Sequence, residues 1–405
     1  MGFKSQQNMK KHVSHGNIRL NGWLLIAFIK IIVVIGLHIW SVENGRRGLA
    51  PVVLGGDDGQ LYLRVAEYLA DTGRMPFAFP NVWPIFMGRI MGLTGIRGVL
   101  PFKLVLFAAS FGTAWFGVRL LRMLVADTIR LRTPAGTEVL LAGLLILFPS
   151  TLFVASYSIY RDAVIFFLAM LSGYLAYRGL IRRERAFLIA LLPTLYALFQ
   201  FRWYATVAFA IGVLLWLPFT GGIRKSVSWK LVGATVVAVV AVGAIALGLL
   251  ARLEGILQFR DYFDATGAQS NIGVSYAGSS FVLWPLLFVY SFLSNLIGPL
   301  PNQIKSANTL VGFLMETPIL AVVLWHVWGT PLRRRPEAVL LLTISVVWFV
   351  FIAIYNDNVG TALRLRVVGY QFLFIIVLAE SVRRTAVRQA TRRTHAIRRA
   401  AALAS

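Results

Sequence analysis

Two adjacent carboxylates, Asp57 and Asp58, follow a pair of glycines and precede a segment with helical spacing. One of them could simply cap that helix by accepting hydrogen bonds from its free N–H groups. Two acids exceed what a cap requires, and a carboxylate where a loop meets a helix is well placed to act as a general base. The pair could equally hold a divalent cation, Mg²⁺ or Mn²⁺, against a phosphate. We therefore predict Asp57 and Asp58 as catalytic residues, and as the metal ligands if a cation is used.

Arginines next to short turns form a second group of candidate residues. Arg161 lies in the sequence Tyr157-Ser-Ile-Tyr-Arg161-Asp162, and Arg202 interrupts the apolar residues 187–219. A guanidinium offers a planar, bidentate donor to phosphate, although Arg161 could also lie at the interface and pair with Asp162. An ionisable residue deep in an apolar run normally faces a cavity or a partner. We predict that these arginines hold a phosphate group.

A third group precedes the last apolar segment, in the sequence Asn356-Asp-Asn-Val-Gly-Thr-Ala-Leu-Arg364-Leu-Arg366. Its first five residues are best explained as a turn, because Asn, Asp and Gly favour turns. Arg364 and Arg366 follow on the side of the membrane where positive charge is usually avoided. We therefore expect an anionic partner for them.

The residues after Asp58 predict an amphipathic helix that lies on the membrane surface. Its apolar residues recur at helical spacing: Leu61, Val65, Tyr68 and Leu69. Its charged residues lie on the other side: Arg64, Glu67 and Asp71. The carboxylate pair would then stand at the N-terminus of this helix and face the lipid headgroups.

The composition places these groups in a membrane protein. Of the 405 residues, 58% are hydrophobic and 14% are charged, whereas a soluble protein carries roughly a quarter charged residues. There are 40 Lys and Arg against 16 Asp and Glu. Most of the basic residues collect in loops on one side of the predicted spans, so they indicate orientation and not nucleic-acid binding. The absence of cysteine excludes disulfides, thiolate metal sites and cysteine nucleophiles.

We predict an all-α, polytopic bundle of about ten transmembrane helices, with both termini cytoplasmic and an uncleaved first span. The predicted spans are residues 21–40, 101–124, 139–157, 163–177, 229–250, 309–328, 338–355 and 367–380, with two short helices that divide 187–219 at Arg202. Residues 281–298 would be re-entrant or lie along the interface. Residues 1–380 form the membrane domain, with outer loops 41–100 and 251–280. Residues 381–405 form a basic cytoplasmic tail that binds anionic membrane lipids.

The sequence Asp58-x-x-x-Tyr62-x-x-x-Ala66-x-x-Leu69-Ala70-x-Thr72-Gly73 resembles the first extracytoplasmic loop of GT-C membrane glycosyltransferases. Those enzymes use polyprenyl-phosphate sugars, and a carboxylate in that loop activates the acceptor. Here the second acid precedes Asp58 instead of following it, and the loop has no Lys-Pro-Pro element like that of many members. A looser resemblance links the turn at 157–162 to polysaccharide polymerase-like membrane proteins.

The resemblance implies an inverting glycosyltransferase of the plasma (inner) membrane. It would transfer a sugar from a polyprenyl-phosphate-linked donor to a cell-surface glycan or lipid-linked acceptor on the outer face. A polymerase of lipid-linked oligosaccharide repeat units is the nearest alternative, followed by a transporter or flippase and by a structural scaffold. The residues predicted to bind substrate are Tyr62, Arg64, Arg161, Asp162, Arg202, Arg364 and Arg366.

Overall fold

Helices dominate the part of the chain that the computed structural model describes. These residues are 2–49, 58–77, 81–129, 132–219, 271–274, 279–330 and 335–404. An isolated bridge joins Asn271 and Asn358. Asp57, the predicted span 229–250 and nearly all of the predicted outer loop 251–280 lie outside the described residues. The predicted all-α class is confirmed.

The helices are named here in chain order. They are α1 (Gly2–Glu43), α2 (Asp58–Thr72), α3 (Trp83–Thr94), α4 (Leu100–Ile129), α5 (Ala135–Leu147), α6 (Pro149–Tyr157), α7 (Asp162–Ala176), α8 (Arg185–Phe201), α9 (Trp203–Trp216), α10 (Trp284–Ile297), α11 (Ala307–Trp328), α12 (Pro336–Tyr355), α13 (Val359–Leu365) and α14 (Val367–Ala404). A π-helical turn, Tyr177–Ile181, extends α7.

In the part of the chain that the structure describes, five helical segments are long and apolar enough to cross a membrane: Asn17–Glu43, Leu100–Thr128, Asp162–Ile181, Thr309–Trp328 and Pro336–Tyr355. Helix α13 and the segment Val367–Ile397 of α14 are bent by 44° relative to each other and make a sixth candidate if they count as one span. The shorter apolar helices α5, α8, α9 and α10 complete the bundle among the described residues. The predicted polytopic class is confirmed. The predicted number of about ten spans is higher because it also includes the shorter apolar segments and residues 229–250.

The predicted span 139–157 is broken into α5 and α6. Phe148 adopts an extended conformation (φ −56°, ψ 135°) because the residue before a proline avoids the helical region. Pro149 then starts α6, at a position where its missing N–H costs nothing. The buried Lys30 of α1 donates to the carbonyl oxygens of Thr151 (3.2 Å) and Leu152 (3.0 Å), and this contact ties α1 to the second half of the broken span.

The apolar stretch 187–219 divides at Arg202, as predicted. Arg202 is extended (φ −160°, ψ 91°) between α8 and α9. Helix α9 then runs antiparallel to α12. At one end, the rings of Tyr204 and Tyr355 stack with their centroids 5.2 Å apart. At the other end, the Trp216 indole N–H donates to the carbonyl oxygen of Pro336 at 2.6 Å. The Arg202 turn and the end of α12 therefore lie at the same end of the bundle.

Carboxylates at the predicted cytoplasmic end each bind arginines. Glu138 of α5 accepts from Arg122 of α4 (2.6 and 2.8 Å) and pairs with Arg19 of α1 at 2.9 Å. Glu380 of α14 accepts from Arg335, Arg383 and Arg384. Helix α14 continues through Glu380 to Ala404, so the predicted border between membrane domain and tail falls inside one helix.

Helix α2 packs closely on α3, and a glycine makes the approach feasible. A Cβ atom at Gly88 would lie 2.7 Å from the carbonyl oxygen of Ala66, so a larger residue would push the helices apart. The buried face of α2 consists of Gly59, Tyr62, Leu63, Val65, Ala66 and Leu69. The predicted helix is confirmed. Leu61 and Tyr68 are about half exposed (46% and 47%) because α2 rests on α3 and on a core of protein side chains.

A fully buried ion pair joins α6, α11 and the residue between α13 and α14. The Arg366 guanidinium lies 2.5 Å from Glu316 and also donates to the carbonyl oxygen of Gly298. The other carboxylate oxygen of Glu316 accepts from the amide and hydroxyl of Ser150, at 2.6 and 2.5 Å. Both side chains are almost completely inaccessible, so each depends on the other for charge compensation.

Replacing Glu316 by glutamine should lower the free energy of unfolding by about 3–5 kcal/mol, because it leaves the Arg366 charge buried without a partner. Thermal unfolding of the full chain in detergent, followed by tryptophan fluorescence, measures this loss. Glu43→Gln is the matched control, since Glu43 is exposed at the end of α1. It should shift the free energy by no more than about 0.5 kcal/mol. Equal midpoints for the two variants would contradict the assignment.

Candidate active site

Four separate segments bring charged side chains together at one end of the bundle. They are the N-terminus of α2, the start of α7, the α8–α9 turn and α13. We call this group the acid–arginine cluster, and it comprises Asp58, Arg161, Asp162, Arg202 and Arg364. It lies at the end that the sequence predicts to face outward. The cluster unites residues from all three groups that the sequence singles out.

Asp162 is the buried centre of the cluster. Its side chain is 4% exposed, and its two carboxylate oxygens face guanidinium groups from different parts of the chain. Arg202 lies 3.3 Å from one oxygen, and Arg364 lies 3.5 Å from the other. A buried carboxylate between two guanidinium groups remains ionised, because both neighbours favour its charged form. Asp162 therefore fixes where both arginines point.

Asp58 is the accessible acid of the cluster. Both terminal nitrogens of Arg364 donate to the same carboxylate oxygen of Asp58, at 3.3 and 3.4 Å. The Asp58 side chain is 47% exposed, whereas that of Arg364 is 18% exposed. One oxygen is thus oriented by an arginine while much of the carboxylate stays open to an incoming group. That combination suits a general base.

Tyrosine rings surround the arginines. The guanidinium of Arg364 lies over the ring of Tyr160 at 4.6 Å, and that of Arg202 lies over the ring of Tyr204 at 5.5 Å. Such cation–π contacts hold a guanidinium plane in place. Burial raises the pKa of the Tyr62 phenol, so this group stays protonated at neutral pH. Tyr62 also lies within electrostatic range of Arg161, Asp58, Asp162 and Arg202.

The cluster has more donors than its own acids use. Three arginines face two aspartates, so one positive charge is left over. Within the described part of the chain, two buried nitrogens of Arg202 (Nε and Nη1) and the Nε of Arg161 have no hydrogen-bond partner. Burial, and then the positive charge of Arg202, lower the pKa of Arg161, although a guanidinium stays protonated in proteins. Buried donors without partners are costly, and an anion such as a phosphate would satisfy them.

Local structure explains how each segment presents its charge. The buried indole N–H of Trp83, at the start of α3, donates to the carbonyl oxygen of Ile159 at 2.8 Å. This bond fixes the turn that leads into Arg161 and Asp162. Asn358 caps α13 by accepting from the amide of Thr361 at 3.0 Å, which sets the start of the helix that carries Arg364.

Three of the residues predicted for the site lie elsewhere or outside the described residues. Arg366 belongs to the buried pair with Glu316, so it holds the fold instead of facing the cluster, which corrects the expectation from sequence. Arg64 is exposed on another face of α2, beside Arg46 and Arg47. Asp57 lies outside the described residues.

Sequence reasoning did not select the aromatic residues Tyr160 and Tyr204 or the acid Glu316. A signal was present for each. Tyr204 stands two residues after Arg202, which it contacts, and Tyr160 stands next to the predicted site residue Arg161, although its ring contacts Arg364. Glu316 is an ionisable residue within an apolar span, which usually indicates a partner or a function.

The described residues do not supply a cation site at the cluster. Among them, no group of three or more His, Asp or Glu could hold a metal ion. The Asp58 carboxylate faces the positive charge of Arg364, which disfavours a second cation there.

Comparison with known proteins finds a distant structural similarity. No protein-family model and no curated protein match the chain. The crystal structure of ArnT from Cupriavidus metallidurans in the apo state aligns over 88% of this chain with a TM-score of 0.46 and 13% identity. The aligned region is 60% of the ArnT chain, so this protein spans less than two thirds of its length.

The two acids of the cluster should differ sharply in their contribution to stability. Asp162→Asn should lower the free energy of unfolding by about 3–5 kcal/mol, because it leaves buried guanidinium groups uncompensated. Asp58→Asn should cost at most about 1 kcal/mol, since its ion pair is half exposed. Thermal unfolding of both variants in the same detergent tests this. A similar loss in the two variants would mean that Asp58 is a structural residue.

Proposed function

We propose that this protein is an integral membrane glycosyltransferase. It would transfer a sugar from a polyprenyl-phosphate-linked donor to an acceptor hydroxyl at the outer face of the membrane. The observation that carries the proposal is the Asp58 carboxylate, which is open on one side and is held on the other by an arginine of a buried cluster. An accessible base beside excess guanidinium donors matches the needs of transfer from a sugar phosphate.

The arginines would bind the donor. The free nitrogens of Arg202 and Arg161 point to a place for the phosphate oxygens. Asp162 has no free role in the reaction, because both of its oxygens face arginines, so it is a positioning residue. Most of the rate enhancement would come from these fixed donors, because they stabilise the charge that develops on the leaving phosphate in a site with little water.

Asp58 would act on the acceptor. It would accept the proton of the acceptor hydroxyl while the hydroxyl oxygen forms a bond to the anomeric carbon of the sugar. The bond from that carbon to the phosphate oxygen breaks, and both electrons leave with the polyprenyl phosphate. A single displacement of this kind inverts the configuration at the anomeric carbon. After this step Asp58 is protonated, the acceptor carries a new glycosidic bond, and the arginines hold the polyprenyl phosphate.

Asp58→Asn should reduce sugar transfer by about a hundredfold to ten-thousandfold, because the amide cannot accept the proton. Cells of the native host that lack the chromosomal copy are complemented with each variant, and sugar incorporated into surface glycan is measured. Asp71→Asn is the matched control on the same helix, since Asp71 is exposed and pairs with Arg97. Normal glycan from a normally expressed Asp58→Asn protein would rule out the proposal.

A polymerase of lipid-linked repeat units is the second candidate, and one observation favours it. The unused donors of the cluster belong to buried arginines, and the Arg202 side chain is 10% exposed against 47% for Asp58. An arginine-based polymerase would need those donors and not the accessible acid. Arg202→Gln should then abolish glycan assembly and cause lipid-linked units to accumulate, whereas Asp58→Asn should not. Loss in both variants supports the transferase.

A further inference from the structure

A second basic site lies on α2, on a different face from the cluster. It is a cavity of about 300 Å³ between the end of α1 and the first turns of α2. Three arginines line it (Arg46, Arg47 and Arg64), together with Gln60 and the apolar residues Leu49 and Leu63. Its volume is at the lower end of the range for ligand pockets.

Among the residues that the structure describes, acids offset only part of the positive charge of this cavity. Arg47 forms an ion pair with Glu67, one turn beyond Arg64. Arg46 and Arg64 are exposed and form no ion pair with any acid in the described part of the chain. No acidic side chain lines the cavity among those residues. Two guanidinium groups are therefore available to an anion, and Gln60 adds a neutral donor.

Hydrogen bonds hold the turn that carries Arg46 and Arg47 in a defined conformation. The Ser41 hydroxyl donates to the carbonyl oxygen of Leu49 at 2.5 Å, and the Arg46 amide donates to that of Ser41 at 2.9 Å. Arg47 itself has φ +57°, a left-handed conformation that costs a non-glycine residue energy and that is often found at functional sites. Glycine would adopt this conformation more easily, yet the position carries an arginine.

Helix α2 fixes the distance between the cavity and Asp58. Asp58 and Arg64 are six residues apart on the same helix, which separates them by about 9 Å along its axis. Tyr62 turns to the cluster and Arg64 to the cavity. A molecule whose hydroxyl reaches Asp58 could therefore place a negative group in the cavity, while the donor phosphate occupies the arginines of the cluster.

We infer that the cavity at Arg46 and Arg64 binds a phosphate group of the acceptor. The inference rests on the proposed function, because it takes Asp58 as the base that meets the acceptor hydroxyl. The same phosphate chemistry could also come from the headgroup of a bilayer lipid, and the experiment separates these two sources.

The test compares the double variant Arg46→Gln/Arg64→Gln with the control Arg74→Gln/Arg89→Gln, which removes two exposed arginines from the same predicted outer loop. The full chain is reconstituted in vesicles of phosphatidylcholine, with or without phosphatidylglycerol. A lipid extract of cells that lack the protein supplies donor and acceptor, and the acceptor fraction is titrated. The double variant should need about ten to a hundred times more acceptor for half-maximal rate, with the maximal rate unchanged. The control should match the wild type in both vesicles.

Three outcomes would overturn the inference. An unchanged acceptor requirement in the double variant is the first. The second is a wild-type rate that depends on phosphatidylglycerol, with that dependence lost in the double variant, since the cavity would then bind a bilayer lipid. The third is a fall in maximal rate without a change in acceptor requirement. Failure of the proposed function gives a separate result: the Asp58→Asn variant would then keep its transfer activity, whatever the effect of the arginine variants.

Binding of inorganic pyrophosphate gives a readout that needs no catalysis. Pyrophosphate should raise the thermal midpoint of the intact protein through two sites. Arg202→Gln should remove one part of this shift, the double variant should remove another part, and the combined variant should remove both. A double variant with the full wild-type shift would contradict an anion site at the cavity.

Discussion

The ion pairs of Asp162 with two arginines are the interaction on which one end of the bundle, the end that carries the acid–arginine cluster, depends. They join the start of α7 to the α8–α9 turn and to α13, segments that are distant in the chain. Without this carboxylate, the buried guanidinium groups would repel one another in a medium that screens charge poorly. The excess of arginine over acid is therefore tolerable only because one acid is buried at the centre.

The two acids divide structure and chemistry between them. A buried charge that has partners on both sides cannot leave them without a large cost, so Asp162 cannot serve as a base. Asp58 has one arginine partner and remains about half exposed, and such pairs contribute little to stability. It can exchange this partner for an acceptor hydroxyl at low cost. A similar difference separates Arg366 from Arg202. Both terminal nitrogens of Arg366 have partners inside the fold, Glu316 and the carbonyl oxygen of Gly298. Within the described part of the chain, Arg202 pairs with Asp162 but keeps one terminal nitrogen without a hydrogen-bond partner.

The sequence allowed the membrane class, the helix after Asp58 and the break at Arg202 to be predicted, because each depends on local composition or on one charge in an apolar run. It did not allow Arg364 to be distinguished from Arg366. Side chains two positions apart on a helix point in directions that differ by roughly 200°, so Arg364 and Arg366 must face different surroundings. Which one meets the cluster depends on Glu316 and Asp162, and tertiary packing alone brings those acids into place. The break at Phe148 has a local cause, the proline that follows it, but the apolar run 139–157 is long enough for one span and was therefore predicted as one.

Helix α2 is packed closely on the rest of the protein, and this packing would limit the distance between the reacting and the negatively charged group of an acceptor. Its buried face rests on α3, where Gly88 lets the backbones approach, and the helix carries the proposed base, Asp58, at its N-terminus and Arg64 further along. A flexible loop could adjust the spacing between base and binding group to different substrates, whereas a packed helix cannot. Selection among acceptors would then follow from the fixed distance between a hydroxyl and a negative group. Specificity of this kind arises from the geometry of one helix and does not require contacts to the sugar itself.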